Sequence, residues 1–369
     1  MKITPFGVEL WLNEFEDRAR LNLAETSISA LSTRELLELI GAGQAQVDEL
    51  LDARLSYGHI PGSPRLRAAI AATYRTVAAE RVLLAHGTIG ANHLAHLVLT
   101  GADDHVVTFA PSYDQHAAIA ESIGAETTVL PLAAENRYLP DLEQLRAAVR
   151  DNTQLICLTN PNNPTGTLIP TEMLREIVEI ARAKDAYVLV DEVYRGVEAE
   201  GVTPTESIAD LYEKGIATGG VSKAFSLPGL RVGWVVVPDG LQADFGDQRD
   251  YSIISVGVLD DLLASIALEH REVLLERSRG IINRNRRIVE EWLAEEPRAS
   301  WIAPDAGSAA LLRLETSVDS RTFAKRLLET HGVLLTPGSA FGVEGHYRLG
   351  YTCSEETLRE GLRLINASL

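Results

Sequence analysis

The residues best suited to chemistry lie in the segment from 222 to 233, which reads Ser-Lys-Ala-Phe-Ser-Leu-Pro-Gly-Leu-Arg-Val-Gly. Lys223 follows Ser222 and a predicted strand, and Arg231 stands eight residues further on, with Pro and Gly in the turn between them. An amine that lies near cationic groups and away from bulk water has a lowered pKa, which makes it a nucleophile near neutral pH. The segment indicates a lysine Schiff base beside a phosphate, while a solvated surface lysine is the simpler alternative for this segment alone.

Two earlier turns place polar groups after predicted strands. Residues 160–166 read Asn-Pro-Asn-Asn-Pro-Thr-Gly after a strand that ends at Leu158, and residues 191–194 read Asp-Glu-Val-Tyr after a strand that ends at Val190. Taken singly, the first segment is typical of a turn, because Asn, Pro and Gly adopt unusual dihedral angles. Asp191, taken singly, is typical of a helix cap. Their common position after apolar strands makes both turns candidates for a shared site.

Short apolar, β-branched runs alternate with helical patterns from about residue 63 to residue 239. This alternation predicts an α/β fold with a mostly parallel seven-stranded sheet and helices on both faces. The runs are mostly apolar rather than alternating, as expected of strands buried on both sides. Ligands of such sheets bind beyond the carboxyl ends of the strands, so a site should form at the turns described above. The predicted strands are residues 81–85, 105–109, 126–130, 154–158, 186–190, 215–218 and 231–237.

The pattern changes after residue 239 and predicts a second, smaller α+β lobe. Its expected elements are helices at residues 258–269 and 271–294 and strand-like runs at residues 309–314 and 332–336. We expect the large domain to comprise residues 46–270, and the small domain to comprise residues 1–45 together with residues 271–369.

Composition excludes several classes of partner. The 369 residues include 34 Lys and Arg against 52 Asp and Glu, a formal net charge of −18. This charge repels phosphate backbones and anionic lipid surfaces, so we expect neither nucleic acid nor membrane as a partner. Acids interrupt the N-terminal segment where a signal peptide would be apolar, so a cytoplasmic location is expected. His93 and His96 lie one helical turn apart with no third ligand at suitable spacing, so no metal is predicted.

The order and spacing of the motifs resemble the class I/II aminotransferases, which are pyridoxal-phosphate enzymes of fold type I. The resemblance spans nearly the whole chain, and no single motif in it is specific by itself. It implies the large sheet and the smaller lobe, a small-molecule α-amino acid as substrate, and pyridoxal 5′-phosphate as cofactor. The matching segments are Tyr57-Gly58 with Gly62 and Leu66-Arg67, Gly87-Thr88, Pro111 with Tyr113, residues 163–166, Asp191 with Tyr194, Ser222 with Lys223 and Arg231, and Tyr347-Arg348-Leu349.

The resemblance implies roles around the cofactor ring. Lys223 would form the Schiff base and then carry a proton between the substrate α-carbon and the cofactor. Asp191 would keep the pyridine nitrogen protonated, so that the ring withdraws electrons from the α-carbon. Asn163 and Tyr194 would bind the phenolic oxygen of the ring. Tyr113 would stack on the ring face, the alternative being a core aromatic at a helix start.

A further group of residues would bind the cofactor phosphate. Gly87, Thr88 and Ile89, at the turn into a helix, offer backbone N–H groups and the positive end of the helix dipole. Ser222 and Arg231 would complete this phosphate site by the same resemblance.

Three more positions extend the expected site. Tyr57 would reach the phosphate of a neighbouring subunit, which implies a homodimer with shared active sites. Arg348 would bind the substrate α-carboxylate, because a guanidinium makes two parallel hydrogen bonds, although a surface Arg in an edge strand also fits the pattern. Glu25 is the better candidate for binding a cationic substrate side chain, whereas the acids at positions 14, 16 and 17 are expected on a solvated helix face.

Two segments depart from the common pattern of the family. Residues 114–116 read Asp-Gln-His where many relatives have a further aromatic, and residues 249–257 replace a usually Ser-rich stretch. Here the chain resembles the branch that contains capreomycidine synthase and pyridoxal-phosphate-dependent arginine oxidases. Those enzymes eliminate, cyclise or oxidise at the side chain instead of releasing a keto acid.

Three functions therefore compete. The leading hypothesis is an aminotransferase that passes the amino group of an α-amino acid to a 2-oxo acid through a Schiff base at Lys223. The alternative is a pyridoxal-phosphate-dependent cyclase, lyase or oxidase acting on arginine or an arginine derivative. A non-catalytic sensor domain of a transcription regulator is disfavoured by the strongly acidic composition.

Overall fold

The computed structural model describes residues 2–369 and confirms the predicted α/β architecture. The strands are β1 (Leu21–Asn22), β2 (Val82–His86), β3 (His105–Ala110), β4 (Glu126–Pro131), β5 (Thr153–Thr159), β6 (Tyr187–Asp191), β7 (Gly215–Gly220), β8 (Val232–Val236), β9 (Ala299–Trp301), β10 (Ala309–Leu314), β11 (Val333–Leu334), β12 (Thr336–Pro337) and β13 (His346–Gly350). The α-helices are α1 (Gly7–Phe15), α2 (Thr33–Leu39), α3 (Gln44–Leu51), α4 (Pro64–Ala71), α5 (Gly87–Leu99), α6 (Gln115–Ile123), α7 (Leu142–Ala148), α8 (Thr171–Arg182), α9 (Ile208–Leu211), α10 (Gln242–Arg249), α11 (Val258–Glu269), α12 (Arg271–Glu295), α13 (Ser320–His331) and α14 (Glu355–Ser368).

The largest sheet contains seven strands in the order β2-β8-β7-β6-β5-β3-β4. Strand β8 runs antiparallel to both of its neighbours, and all other pairs are parallel. All seven predicted strands are confirmed, with ends that move by one or two residues. Strand β4, at one edge of the sheet, is only half-buried, in contrast to the expected full burial, whereas β2 at the other edge is buried except for His86.

Apolar side chains pack on both faces of this sheet. Neighbouring residues of a strand point to opposite faces, so Leu155 and Leu189 belong to one buried cluster while Ile156 and Val188 belong to the other. Strands covered on both sides need apolar residues at successive positions, which explains the continuous apolar runs in the sequence.

The strand directions explain why the polar turns meet. Strands β2, β3, β5, β6 and β7 run the same way, so their carboxyl ends lie along one edge of the sheet. Strand β8 runs the other way, and Arg231 immediately precedes its amino end at that same edge. The turns that carry Gly87, Asn163, Asp191 and Lys223 therefore converge on one region.

The second lobe is built on a four-stranded antiparallel sheet in the order β12-β13-β10-β9. The predicted helices at 258–269 and 271–294 are confirmed as α11 and α12, and the strand at 309–314 is confirmed as β10. The predicted run at 332–336 is divided into β11 and the start of β12. The N-terminal segment joins this lobe, since β1 pairs with β11 and the Trp11 Nε1 group donates to the Leu335 carbonyl at 2.9 Å.

The expected division into two domains stays a prediction. Its first boundary, after residue 45, falls inside α3, and its second boundary, after residue 270, falls between α11 and α12. Among residues 2–369, no helix combines the length and apolar character needed to cross a bilayer. The expected cytoplasmic location also stays a prediction.

Candidate active site

A cleft of about 430 Å³ opens at the carboxyl edge of the large sheet, and Arg348 of the second lobe forms part of its wall. Its volume is in the usual range for a small-molecule site. The structure brings eleven of the predicted site residues to this cleft, although their roles stay predictions. These residues are Glu25, Thr88, Ile89, Tyr113, Asn163, Asp191, Tyr194, Ser222, Lys223, Arg231 and Arg348.

One end of the cleft has the donors that a phosphate requires. Helix α5 begins at Gly87, and the buried Thr88 hydroxyl has no hydrogen-bond partner within residues 2–369. Arg231 Nη1 lies 3.4 Å from Ser222 Oγ and donates to the Pro228 carbonyl at 2.8 Å. A helix N-terminus, two hydroxyls and a guanidinium together can bind a phosphate dianion.

Gly87 is required by the close approach of the Arg231 side chain. Its φ of +67° lies in the left-handed region, and a Cβ at this position would collide with the Arg231 guanidinium. Gly87 N also donates to the Arg231 carbonyl at 2.8 Å. Gly87 therefore helps to position Arg231 through its backbone, without lining the cleft itself.

Asp191 lies at the end of β6 and is the buried anion of the site, with 5% of its surface exposed. Its carboxylate accepts from Asn92 Nδ2 at 2.8 Å and from the Val193 N–H at 3.0 Å. Burial raises the pKa of Asp191 to about 6, although these hydrogen bonds and the Lys223 charge oppose the shift. A cationic ring nitrogen next to this carboxylate would offset the cost of its burial.

Asn92 is a functional candidate that carries only a weak sequence signal, its place five residues after Gly87 on α5. Its Oδ1 accepts from the Thr218 hydroxyl at 2.6 Å, which leaves its Nδ2 to donate to Asp191. Nδ2 also lies 3.2 Å from Gln115 Oε1. The departure from the family pattern at Gln115 thus joins α6 to the hydrogen bonds around Asp191.

Lys223 extends its amine toward the N-terminal segment. The Lys223 Nζ group donates to Thr26 Oγ1 at 2.9 Å and lies 3.8 Å from Glu25 Oε1. Burial acts to raise the pKa of Glu25, but the Lys223 charge and hydrogen bonds from Thr26 and Ser27 outweigh it, so the pKa of Glu25 lies below its usual value. Glu25 is therefore a carboxylate held next to the Lys223 amine.

Arg348 is a buried cation with unused hydrogen-bonding capacity, and 3% of its surface is exposed. Nη1 lies 3.3 Å from Asn163 Oδ1, Nη2 donates to the Ala24 carbonyl at 3.1 Å, and Nε has no partner within residues 2–369. Burial lowers the pKa of Arg348, a shift that nearby groups including Tyr194 and Tyr113 oppose. Because a buried guanidinium needs anionic partners, this geometry suits a substrate carboxylate.

Three carboxylates line the cleft on the side of the N-terminal segment: Glu9, Glu16 and Glu25. Glu9 and Glu16 are seven residues apart and face the cleft together with Leu12, a spacing that places all three on one face of α1 and its short extension. Glu16 is exposed to solvent, as expected, and it also borders the cleft, where its Oε1 accepts from Asn22 Nδ2 at 3.1 Å. Glu14, by contrast, is on the surface, 3.6 Å from Arg321.

The Tyr113 ring lies in the cleft wall, and its hydroxyl donates to Glu9 Oε1 at 3.2 Å. Burial, followed by the charge of Glu9, raises the pKa of Tyr113 above its ordinary value. Phe6 contacts the ring edge-on, with 4.6 Å between the centroids. The N-terminal helix therefore holds the aromatic ring that is predicted to stack on the cofactor.

Tyr57 does not line this cleft. It is 81% exposed and borders a separate depression with Gly58, Ser63 and Val258. This position agrees with a role toward another subunit, which stays a prediction.

His96 lies close to His116 and Cys157, two residues that are distant in sequence and could in principle act as metal ligands together with it. His96 Nε2 lies 3.2 Å from His116 Nδ1 and 3.9 Å from Cys157 Sγ. Burial lowers the pKa of His96 well below its ordinary value and that of His116 to about 4, so both rings are neutral and one hydrogen bond explains their contact. None of the three lines the cleft.

Comparison with known proteins identifies the family. The profile of the family described as aminotransferase class I and II matches residues 21–365. Capreomycidine synthase of Streptomyces vinaceus is 33% identical over 365 residues, which are 98% of this chain and 93% of that protein. Arginine–pyruvate transaminase of Pseudomonas aeruginosa is 31% identical over 332 residues, which are 87% of this chain and 84% of that protein. The crystal structure of a pyridoxal-phosphate-dependent aminotransferase from Streptococcus suis has a TM-score of 0.97 at 41% identity and covers 100% of this chain and 98% of that chain.

The residues of the cleft fit the cofactor that these comparisons imply. The unpartnered Thr88 hydroxyl and the Arg231 guanidinium suit its phosphate, the buried Asp191 suits its ring nitrogen, and the Lys223 amine suits its aldehyde. Pyridoxal phosphate is therefore the cofactor, and the chain belongs to the class I and II aminotransferase family.

Proposed function

We propose that this protein is a pyridoxal-phosphate-dependent aminotransferase that passes the amino group of an α-amino acid to a 2-oxo acid. The observation that carries the proposal is the convergence of the Lys223 amine, the buried Asp191 carboxylate and the buried Arg348 guanidinium on one cleft. The reaction requires an amine to move protons, an anion beside a cationic ring and a group that binds a carboxylate.

Each group has a separate task. Bound pyridoxal phosphate supplies an electron-withdrawing ring that stabilises negative charge at the substrate α-carbon. Arg348, whose Nε lacks a partner within residues 2–369, binds the substrate carboxylate and so orients the α-carbon. Lys223 Nζ then takes the α-proton as a general base and returns it as a general acid. Asp191 stabilises positive charge on the ring nitrogen, because a buried carboxylate favours an adjacent cation.

The acceptor dependence of product formation tests this function. We expect the holoenzyme to convert an α-amino acid into its keto acid over many turnovers only when a 2-oxo acid such as pyruvate is added, with one new amino acid formed per keto acid. Without an acceptor, at most one keto acid per active site should form. Mass spectrometry of the products measures the amounts of the keto acid and of the new amino acid. Ammonia, hydrogen peroxide or a cyclised product formed without an acceptor would contradict transamination.

A second candidate is a cyclase, lyase or oxidase acting on arginine or an arginine derivative. The three carboxylates Glu9, Glu16 and Glu25 favour a cationic side chain in either case, since they line the same cleft as the groups proposed to bind the cofactor and the carboxylate. Two relatives add support by their names, capreomycidine synthase and arginine–pyruvate transaminase. The product analysis above separates this candidate from the aminotransferase.

Substrate charge can be tested with arginine and citrulline, which have nearly the same shape but differ in side-chain charge. We expect kcat/KM to favour arginine by about 10-fold or more, because a hydrogen bond between charged groups contributes about 1.5–3 kcal/mol. Glu16→Gln should reduce this preference severalfold. Glu14→Gln is the matched control, because Glu14 pairs with Arg321 on the surface and should leave the preference unchanged. Equal turnover of the two substrates by the unmodified enzyme would contradict the assignment.

We also propose that the protein acts as a homodimer with shared active sites. Large apolar side chains are exposed near Tyr57, among them Ile60 and, on the adjoining loop, Ile254 and the 92% exposed Tyr251. Buried Arg249 supports this loop by donating to the Ile254 carbonyl at 2.9 Å. A second copy of the chain would cover these side chains and bring Tyr57 to the neighbouring phosphate.

We expect the protein in solution to have twice the 40.2 kDa mass of one chain, as measured by sedimentation equilibrium.

Tyr57→Phe should raise the cofactor dissociation constant by about 10-fold, because a hydrogen bond to a charged phosphate is lost. Tyr251→Phe is the control, since Tyr251 is also largely exposed and no phosphate contact is proposed for it. A monomer with full cofactor affinity would refute the shared site.

A further inference from the structure

A second cleft, of about 320 Å³, lies behind the candidate active site. The two clefts are separated by the turn after β6, because Asp191 lines the first, Glu192 lines the second, and Val193 borders both. Successive side chains at the end of a strand point to opposite sides, so neighbouring acids serve different cavities. We call this second cavity, bordered by Tyr74, Glu192, Arg195 and Arg279, the rear cleft.

Glu192 has an unused acceptor in the rear cleft. Its Oε1 accepts from the Ser207 hydroxyl at 2.8 Å and from the Ile208 N–H at 2.9 Å. Its Oε2 is buried and has no hydrogen-bond partner within residues 2–369, and Arg195 Nε lies 4.0 Å away, which is beyond hydrogen-bonding distance. Leaving a buried carboxylate oxygen without a hydrogen-bond donor costs free energy, so a bound molecule that donates to this atom would be stabilised.

The rear cleft also has cations with unused donors. The Arg195 guanidinium lies over the Tyr74 ring at 5.0 Å from its centroid and makes no hydrogen bond within residues 2–369. Arg279 donates to the Gly196 carbonyl at 3.2 Å, and Arg271 has its closest acid in Glu272 at 3.5 Å. These guanidinium groups can bind a carboxylate.

The charges of the rear cleft are balanced, which indicates the class of ligand. Three arginines and three glutamates border it: Arg195, Arg271, Arg279, Glu192, Glu198 and Glu272. Some of these charges already lie near one another, with Arg271 Nε 3.5 Å from Glu272 and Arg195 Nε 4.0 Å from Glu192. A ligand with one sign of charge would add net charge to this balanced, partly buried site, whereas a zwitterion adds none and can pair with both signs. Apolar groups of Phe225, Trp234 and Leu275 form the remaining wall. A small α-amino acid matches this combination in charge and size.

We propose that the rear cleft binds a free α-amino acid, with its ammonium group at Glu192 Oε2 and its carboxylate at the arginines. This molecule would undergo no reaction, since Lys223 lies in the other cleft. A bound water could donate to Glu192 Oε2, but it would leave the arginine donors without an anion. The rear cleft is thus a second amino-acid site, independent of which reaction the first site performs.

The test uses N,N-dimethylglycine, a zwitterion whose tertiary ammonium retains one N–H and cannot form a Schiff base. Crystals of the holoenzyme soaked with it should show the ammonium within about 3.2 Å of Glu192 Oε2. A ligand-observed NMR titration gives the dissociation constant in solution, carried out in an Arg348→Gln background so that the active site does not compete. In that background, Glu192→Gln should weaken binding at least 10-fold, because Ser207 and Ile208 hold its oxygen and its amide then presents donors to the ammonium.

Glu315→Gln is the matched control, since Glu315 lies on the surface beside Arg313 and should leave binding unchanged. If Glu192→Gln fails to fold, Arg195→Gln tests the same site, because the Arg195 guanidinium makes no hydrogen bond and its backbone N–H, which donates to the Glu192 carbonyl, is kept in the variant. Binding that is unaffected by either variant, water alone in the rear cleft of the soaked crystals, or inorganic phosphate or guanidinium binding as tightly as the zwitterion would overturn the proposal.

Discussion

Replacing Lys223 with alanine is expected to lower turnover by about 10⁴-fold, the largest effect of any single substitution in this chain. The substitution removes the amine that attaches the cofactor covalently and the general base that takes the α-proton, and such a base alone contributes up to about 10⁴-fold. Steady-state kinetics with saturating cofactor measures the loss. Borohydride reduction of the unmodified holoenzyme, followed by peptide mass spectrometry, should place the cofactor on the peptide that contains Lys223.

Lys214→Ala is the matched control for Lys223. Lys214 is a surface lysine whose Nζ lies 2.6 Å from Asp185, far from the lining of the cleft, and its loss should leave turnover unchanged. Lys223→Arg should be as inactive as Lys223→Ala, because it keeps the charge but cannot form the covalent bond. Activity retained by either Lys223 variant would refute the assignment of this residue.

Replacing Asp191 with asparagine is expected to lower kcat by about 100-fold to 4,000-fold. Removing one partner of a buried ion pair costs about 3–5 kcal/mol, and each 1.4 kcal/mol corresponds to about a tenfold change in rate. The loss should fall on kcat rather than on KM, because the charge on the ring matters most in the transition state. Asp191→Glu keeps the charge and should recover part of the rate. A kcat within tenfold of the unmodified enzyme would exclude Asp191 as the partner of the ring nitrogen.

The raised pKa of Asp191 predicts that the stability of the cofactor-free protein depends on pH. Burial raises the pKa of Asp191 from an ordinary 3.8 to about 6 in the cofactor-free protein. Between these two values the folded chain keeps a proton that the unfolded chain has released, so its stability falls as the pH rises from about 4 to about 6. The loss amounts to at most about 3 kcal/mol.

When the cofactor is bound, a positive charge on its ring nitrogen stabilises the deprotonated Asp191 and so removes this loss of stability. The increase in Tm on cofactor binding should therefore be larger at pH 8 than at pH 5, as measured by calorimetry. Asp191→Asn should abolish most of the difference between the two pH values, because the titrating group is gone. An equal increase in Tm at both pH values would contradict a raised pKa at this residue.

Local sequence patterns were sufficient to predict the fold and most of the cleft. A strand buried on both sides must be apolar at successive positions, so β5 and β6 are visible in the sequence without knowledge of their neighbours. Parallel strands place their carboxyl ends at one edge, so Asn163, Asp191 and Lys223 can be expected to meet. The sequence did not reveal the half-burial of β4, because burial at an edge depends on which other elements cover it, and the two edge strands β2 and β4 differ in this respect.

Several residues of the site carry no such local signal. Thr26 accepts from Lys223 across 197 positions of the chain, and Asn92 donates to Asp191 across 99. Glu9 reaches Tyr113 across 104 positions, because α1 packs over the cleft. Polar residues on a short helix or in a turn are common on protein surfaces, so their types alone do not distinguish an active-site contact from a solvated position.

The sequence by itself determined the strand set, the family and most of the residues that line the candidate active site, because these depend on residue type, spacing and order along the chain. Only the tertiary structure decided which groups share one cavity and which point away from it. The two acids at the end of β6 show the reason: Asp191 and Glu192 are adjacent in sequence, yet the alternation of side chains sends one to the active site and the other to the rear cleft. Burial and hydrogen bonding, which depend on segments far apart in the chain, then set what each acid can do.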